Sequence, residues 1–328
     1  MATPITGAAF GAAMMAAGFY DPAVVLSQLK FENWHMFQAF LAATASSAIY
    51  YNIAERTGHV KLQPRSSSGL GLLSAYDGNV IGGALLGTGM ALSGSCPGTL
   101  FAQMAGGVQT GFYALNGAVI GGILWTGFVS RAVANRREAA GIKPQAVTVS
   151  QVLGLSRGAT LVLLEAAFLG VIAATTIYTP PFPGIKTSGA VGGLLIGLIQ
   201  LLSLITRRSM VGISGSFEEL GNLFWSKIKS GEGKASPQSL QNVIFAVSAG
   251  LGALAAVKAF PSFATGTPFE VPPVLATIGG ALMVVGARLA GGCTSGHGIS
   301  GISLLSVSSI ITIASTFAAG SVVAKLVY

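Results

Sequence analysis

The chain contains two cysteines, and they stand in matching surroundings. Cys96 lies in Gly94-Ser95-Cys96-Pro97-Gly98-Thr99, and Cys293 lies in Gly291-Gly292-Cys293-Thr294-Ser295-Gly296-His297-Gly298. Neither stretch suits a helix interior, where glycine costs about 1 kcal/mol and proline about 3. The chain is expected to break at or just after each cysteine. In apolar surroundings a break leaves backbone N–H groups that only protein or a water-filled cavity can satisfy. Pro97 fits the first turn of a renewed helix, and Thr294 or Ser295 fits a cap. Such a helix aims its positive end at the break, and Gly94, Gly98 and Gly292 let the backbone approach a ligand closely. With Thr99 beside them, these features predict a small anion site without a full charge. A thiol adds a weak, polarisable donor suited to a soft sulfur atom. A carboxylate there would repel an anion, and a lysine would be costly to bury. Simple packing is the alternative role for a membrane cysteine. The shared broken-helix position weighs against it.

Further polar residues flank the second cysteine. His297 lies four residues beyond Cys293, where it could donate to an anion, titrate near neutral pH, or be satisfied by a backbone carbonyl. Arg288 lies five residues before Cys293 inside an apolar run, where a permanent charge is expensive and usually functional or paired. It could lend positive charge to a pathway, pair with Glu165, or snorkel to the interface. Glu165 also falls inside an apolar run; with no other acid in those runs, an extended carboxylate proton relay is not expected. The loops at 18–23 and 209–216 read equally as vestibule linings or as ordinary turns. Phosphate-loop, zincin, dinucleotide and heme-attachment motifs are absent. With two cysteines and no Cys-x-x-Cys, a disulfide scaffold and a zinc ribbon are excluded. The sequence predicts no catalytic residue, no metal and no cofactor.

These residues are carried by a largely apolar chain. Of 328 residues 52% are hydrophobic and 9% are charged, with a mean hydropathy of +0.70. Soluble domains carry about 25% charged residues, so a soluble globular enzyme is excluded, as are disordered and collagen-like chains. Nine apolar runs are candidate spans, at about 4–20, 34–53, 78–95, 111–130, 159–177, 189–206, 241–258, 273–290 and 299–326. The first has no Lys or Arg before it and reads as a span rather than a signal peptide. The net charge of +8 reflects topology. Thirteen of the 18 basic residues lie in three connections. These are 55–77, with Arg56, Lys61, Arg65 and a flexible-looking Ser66-Ser67-Ser68; 131–157, with Arg136, Arg137 and Lys143; and 207–237, with Arg208, Lys227, Lys229 and Lys234. A nine-span layout puts all three on one side, which the positive-inside rule makes cytoplasmic together with the amino terminus. No basic face with interleaved aromatics is visible, so the expected partner is the lipid bilayer and not nucleic acid.

An internal repeat relates the cysteine segments. Residues 81–96 and 278–293 align without a gap at an offset of 197, with nine of sixteen positions identical, Cys96 and Cys293 among them. Gly7 and Gly11 at the start of the chain answer Gly193 and Gly197. A joining span near 159–177 makes the offset between the halves odd and inverts the second. The expectation is an all-α polytopic membrane protein with about nine transmembrane helices and broken or re-entrant segments in two inverted repeats. The halves would be 1–130 and 189–328, joined by a basic loop and span at 131–188.

The segment from Gly286 to Gly301, Gly-Ala-Arg-Leu-Ala-Gly-Gly-Cys-Thr-Ser-Gly-His-Gly-Ile-Ser-Gly, resembles the cysteine signature of the YeeE/YedE sulfur-transport family. Residues 207–215 are similar to that family's earlier loop, while 18–26 and 93–98 resemble motifs of its half-size members. The chain thus resembles a fusion of two half-transporters. The resemblance implies a membrane transporter or channel, pinched at its middle, that passes a small sulfur-containing anion such as thiosulfate by contacts with Cys96 and Cys293. Thiosulfate-transporting members carry a third cysteine in the first loop, where this chain has Tyr20 and Asp21. Sulfite, sulfide and persulfide therefore stay open beside thiosulfate. The expected location is the plasma membrane, with a sulfur-carrier protein as a candidate partner. The alternatives are a membrane thiol oxidoreductase using Cys96 and Cys293, against which stands the lack of a paired cysteine or a quinone or heme site, and a structural subunit without transport.

Overall fold

The computed structural model describes residues 2–228, 239–264 and 266–328. Lys229, Lys234 and Pro237 of the third basic connection lie outside the described residues. The helices are α1 (Ala2–Ala16), α2 (Pro22–Leu29), α3 (His35–Arg56), α4 (Asp77–Ser93), α5 (Thr99–Ala105), α6 (Gln109–Leu124), α7 (Ser130–Ala139), α8 (Val149–Leu153), α9 (Arg157–Tyr178), α10 (Gly189–Arg207), α11 (Gly215–Ile228), α12 (Gln241–Ala259), α13 (Pro273–Ala290) and α14 (Val307–Val327). Among the described residues there is no strand.

Six helical runs among the described residues are long and apolar enough to cross a membrane: Gln109–Ala139, in which α6 continues into α7, and α9, α10, α12, α13 and α14. The protein is an all-helical integral membrane protein. Three of the nine expected spans fall short for different reasons. α1 has 15 residues and α4 has 17. α3 has 22 residues but carries Thr44, Ser46 and Ser47 on its buried surface. These hydroxyls bond to carbonyls one turn back on α3, so the helix is polar in composition yet internally satisfied. The ninth run also begins later than its composition suggests, because 299–306 belongs to a break and α14 starts at Val307.

The helix ends fall on two faces. On one, Thr3 Oγ1 donates to Gln241 Oε1 at 2.7 Å, Asn79 Nδ2 to the Ala290 carbonyl at 3.2 Å, and Arg157 pairs with Glu55. This face receives the basic connections. On the other, Glu270 accepts from the N–H groups of Gln109 and Thr110, both at 2.8 Å, and Lys325 lies over the Phe31 ring. The Ser66-Ser67-Ser68 stretch proves to be anchored rather than flexible. Ser67 and Ser68 are buried. Ser68 N–H donates to Asn79 Oδ1 at 2.7 Å, and its hydroxyl donates to the Leu289 carbonyl at 2.5 Å and accepts from Arg137.

α4 and α13 cross antiparallel at a glycine seam. A Cβ on Gly82 would come within 3 Å of Gly286 O, and one on Gly286 within 3 Å of Gly82 O. Gly89 and Gly279 exclude each other's Cβ in the same way. Gly82 and Gly279 are repeat mates, as are Gly89 and Gly286, so each contact is the exchanged copy of the other. The pattern extends outward. Gly7 of α1 abuts the Phe245 carbonyl of α12 and Gly193 of α10 abuts the Ala39 carbonyl of α3, while Gly83 of α4 meets Thr312 of α14 and Gly280 of α13 meets Ala114 of α6. Absent side chains let these backbones close up, as small residues do between membrane helices. α9 stands apart: it leans on α3 and buries one residue, Thr160.

Candidate functional site

Both breaks begin at repeat-mate glycines. α4 ends on Gly94 with φ 57°, and α13 ends on Gly291 with φ 90°. Glycine takes this left-handed conformation without the steric cost of a Cβ. The helix therefore stops two residues before each cysteine, not at or after it as composition suggests. Pro97 does not start the renewed helix; α5 begins at Thr99, with Gly98 before it. Thr294 and Ser295 cap no regular helix either, since Thr294–Gly301 winds as a wide π-type turn.

The first break is braced by amide and hydroxyl groups. Gln103 Nε2 donates to the Gly94 carbonyl at 2.9 Å, and Gln103 Oε1 accepts from the Ser95 hydroxyl at 2.5 Å. Thr99 Oγ1 accepts from Cys96 N–H at 2.7 Å. Gln103 is fully buried. It escaped sequence reasoning, although an amide inside the short apolar run Thr99–Ala105 was a usable signal.

His297 does the corresponding work in the second break. Its Nε2 lies 3.0 Å from the Ala290 carbonyl and its Nδ1 2.9 Å from Ser309 Oγ. A carbonyl only accepts, so Nε2 carries a proton and donates to it, while Nδ1 is engaged by the Ser309 hydroxyl. Of its expected roles, His297 takes that of a buried ring satisfied by a carbonyl. The Cys293 thiol lies 3.2 Å from Ser295 Oγ and also meets Ser214. Ser214 belongs to the loop before α11, which Gln200 holds by accepting from Val211 N–H at 2.9 Å. Both cysteines are buried free thiols.

Between the breaks lies a cavity of about 50 Å³. A space of this size holds a few water-sized groups. Cys96, Gly98, Thr99, Thr294 and Ser295 give it a polar side, and Met14, Met36 and Phe40 are among the apolar residues opposite. A second cavity of about 240 Å³ adjoins the basic face, with Arg65, Arg207 and Arg288 around Ser214, Gly292 and Gly296. Cys293 lines neither space itself; its thiol meets Ser295, which lines the first, and Ser214, which lines the second. Arg288 pairs with Glu218 on α11, not with Glu165. The structure thus gathers Cys96, Gly98, Thr99, Thr294 and Ser295 at one cavity and Gly292 and Arg288 at the other. Gly94, Pro97 and His297 line neither and shape the breaks from behind.

Arg65 was missed by sequence reasoning. Its Nη1 donates to the Gly291 carbonyl at 3.0 Å, tying the loop after α3 to the second break. Its backbone is held by Ser306 and Ser308. The two mouth loops divide in role. Residues 209–212, Ser214 and Gly215 line the arginine cavity. In the first loop Asp21 caps α2 by accepting from Ala23 N–H at 2.8 Å, and Phe19 lines the central cavity.

Comparison with known proteins bears on what such a pair of breaks serves. The chain is 26% identical over 299 residues to the thiosulfate transporter TsuA of Spirochaeta thermophila, covering 86% of this chain and 84% of that one. It is 33% identical over 123 residues to a probable transporter of Xylella fastidiosa, covering 38% of this chain and 81% of that protein. Residues 16–323 match the sulphur transport family. Transport, not catalysis, is the activity this assigns, and the thiol oxidoreductase alternative falls with it. The chain, with its paired glycine-stopped breaks, belongs to the sulphur transport family.

Proposed function

We propose that the protein passes a small sulfur-containing anion, thiosulfate above all, across the plasma membrane by way of its two thiols. The observation that carries this reading is the position of the cysteines. Cys96 lines the central cavity, and Cys293 bridges it to the arginine cavity through Ser295 and Ser214. An anion moving from the first thiol to the second meets weak donors suited to sulfur, then full positive charge at the basic face. The similarity to the Spirochaeta thiosulfate transporter supports thiosulfate as the anion's identity. A sulfur-carrier protein at the basic face is the partner this reading calls for.

The exchanged glycine contacts support two inverted half-repeats, 1–130 and 189–328, joined through 131–188. A two-fold axis that relates antiparallel helices lies across them, in the plane of the membrane. The same pairing makes α1, α3 and α4 spans in spite of their length or polarity, which gives nine. The test is uptake of labelled thiosulfate, sulfite and sulfide into proteoliposomes. Uptake by the wild type that falls in Cys96→Ala and Cys293→Ala supports the thiol path. Wild-type rates in both variants at equal abundance overturn it.

A further inference from the structure

We infer that the arginine cavity on the basic face is a binding site of its own, built for a doubly charged oxyanion. Arg65, Arg207 and Arg288 converge on one space of about 240 Å³. Each keeps a buried nitrogen without a hydrogen-bond partner: Nε of Arg65, Nη1 of Arg207 and Nε of Arg288. Glu218 neutralises Arg288. Glu219 is occupied at the start of α12, where it accepts from the N–H groups of Asn242 and Val243. Among the described residues neither Arg65 nor Arg207 has a carboxylate partner; Arg65 donates to a carbonyl and Arg207 lies over the Phe245 ring, 5.0 Å from its centroid.

Two partly buried guanidinium groups without counter-charge are costly unless an anion joins them. Their N–H forks match several oxygens of one ligand at once. An oxyanion carrying two charges, such as thiosulfate or sulfate, can bridge both arginines. Hydrosulfide, with one charge and one acceptor atom, cannot. The wall supports the same chemistry: Ser214 offers a hydroxyl, and Gly292 and Gly296 leave the backbone open beside the guanidinium of Arg65. The inference deepens the pathway reading by naming the substrate class. It depends on that reading for the direction of travel but not for the existence of the site.

The test is calorimetric titration of the full-length protein in detergent with sodium thiosulfate, sodium sulfate and sodium hydrosulfide. The expected result is binding of the first two and none of the third, with Kd raised about tenfold or more by Arg65→Gln and by Arg207→Gln. Should a variant fail to fold, the wild type decides: sulfate should protect Arg65 and Arg207, but not Arg131, from phenylglyoxal. Unchanged Kd in both folded variants, tight hydrosulfide binding, or absence of protection overturns the site. Loss of the site while thiosulfate uptake persists leaves the thiol pathway standing. Oxyanion binding by a wild type that takes up no thiosulfate in proteoliposomes sinks the pathway and supports the site.

Discussion

The two breaks share a backbone and differ in what surrounds it. Each starts at a left-handed glycine and sets a buried cysteine two residues on. The first is braced by an amide, Gln103, and its thiol borders an apolar cavity. The second is braced by an imidazole, and its thiol meets two serines, one of which, Ser214, lines the arginine cavity. The same glycine stop and cysteine recur at an offset of 197 residues, and what differs is the polarity around them: one thiol faces mostly apolar side chains, and the other lies next to a serine that lines the arginine cavity.

Replacing the thiols breaks this comparison most directly. Cys293→Ala and Cys96→Ala should each cut uptake about tenfold or more, equivalent to about 1.4 kcal/mol of lost contact, while stability changes by about 1 kcal/mol. Serine sharpens it: Cys293→Ser, among hydroxyls, should retain more uptake than Cys96→Ser, and equal losses in proteoliposomes would make the two steps alike. The glycine stops come next. A Cβ on Gly94 would lie 2.8 Å from Pro22 Cβ, whereas one on Gly291 meets nothing within 4 Å. Gly94→Ala should therefore cost about 3 kcal/mol and Gly291→Ala about 1, read from unfolding in detergent. Equal costs would show that the packing around the stops does not distinguish them. Removing the first brace with Gln103→Leu leaves the Gly94 carbonyl unpaired and the Ser95 hydroxyl with only the Ser93 carbonyl, and should cost about 2 kcal/mol by the same assay.

The smallest effect concerns pH. Because both ring nitrogens of His297 are engaged within the protein, by Ala290 and Ser309, the ratio of His297→Gln to wild-type uptake should be the same at pH 6 and pH 8. A ratio that falls toward pH 6 would mean the ring carries charge, and would move His297 from brace to pathway.

Register made the cysteine segments legible, since composition cannot place two lone cysteines at one offset. The positions of the stops were less so. Proline and the cysteines drew attention, yet the decisive residues are Gly94 and Gly291, whose role depends on a positive φ that only the folded chain displays. Arg65 lay beyond reach for another reason: its partner carbonyl is 226 residues away, and as a loop residue it read as a topology signal. Arg288 was visible as a buried charge, but its partner proved to be Glu218 on a neighbouring helix rather than Glu165. Gln103, Ser214 and His297 show that bracing is decided by three-dimensional neighbours, which spacing alone does not reveal.

The glycine seam between α4 and α13 carries a mechanical consequence. At Gly82, Gly89, Gly279 and Gly286 the opposing backbone leaves no room for even one methyl group. A joint closed this tightly behaves as a keel: sliding one helix along the other would drive the Cβ atoms of adjacent residues into the opposite main chain. The largest strokes are thereby denied to the centre of the molecule. What remains free to move is small and close to the ligand, namely the side chains at the two cavities and the loops that border them, so the protein is built to open by ångströms.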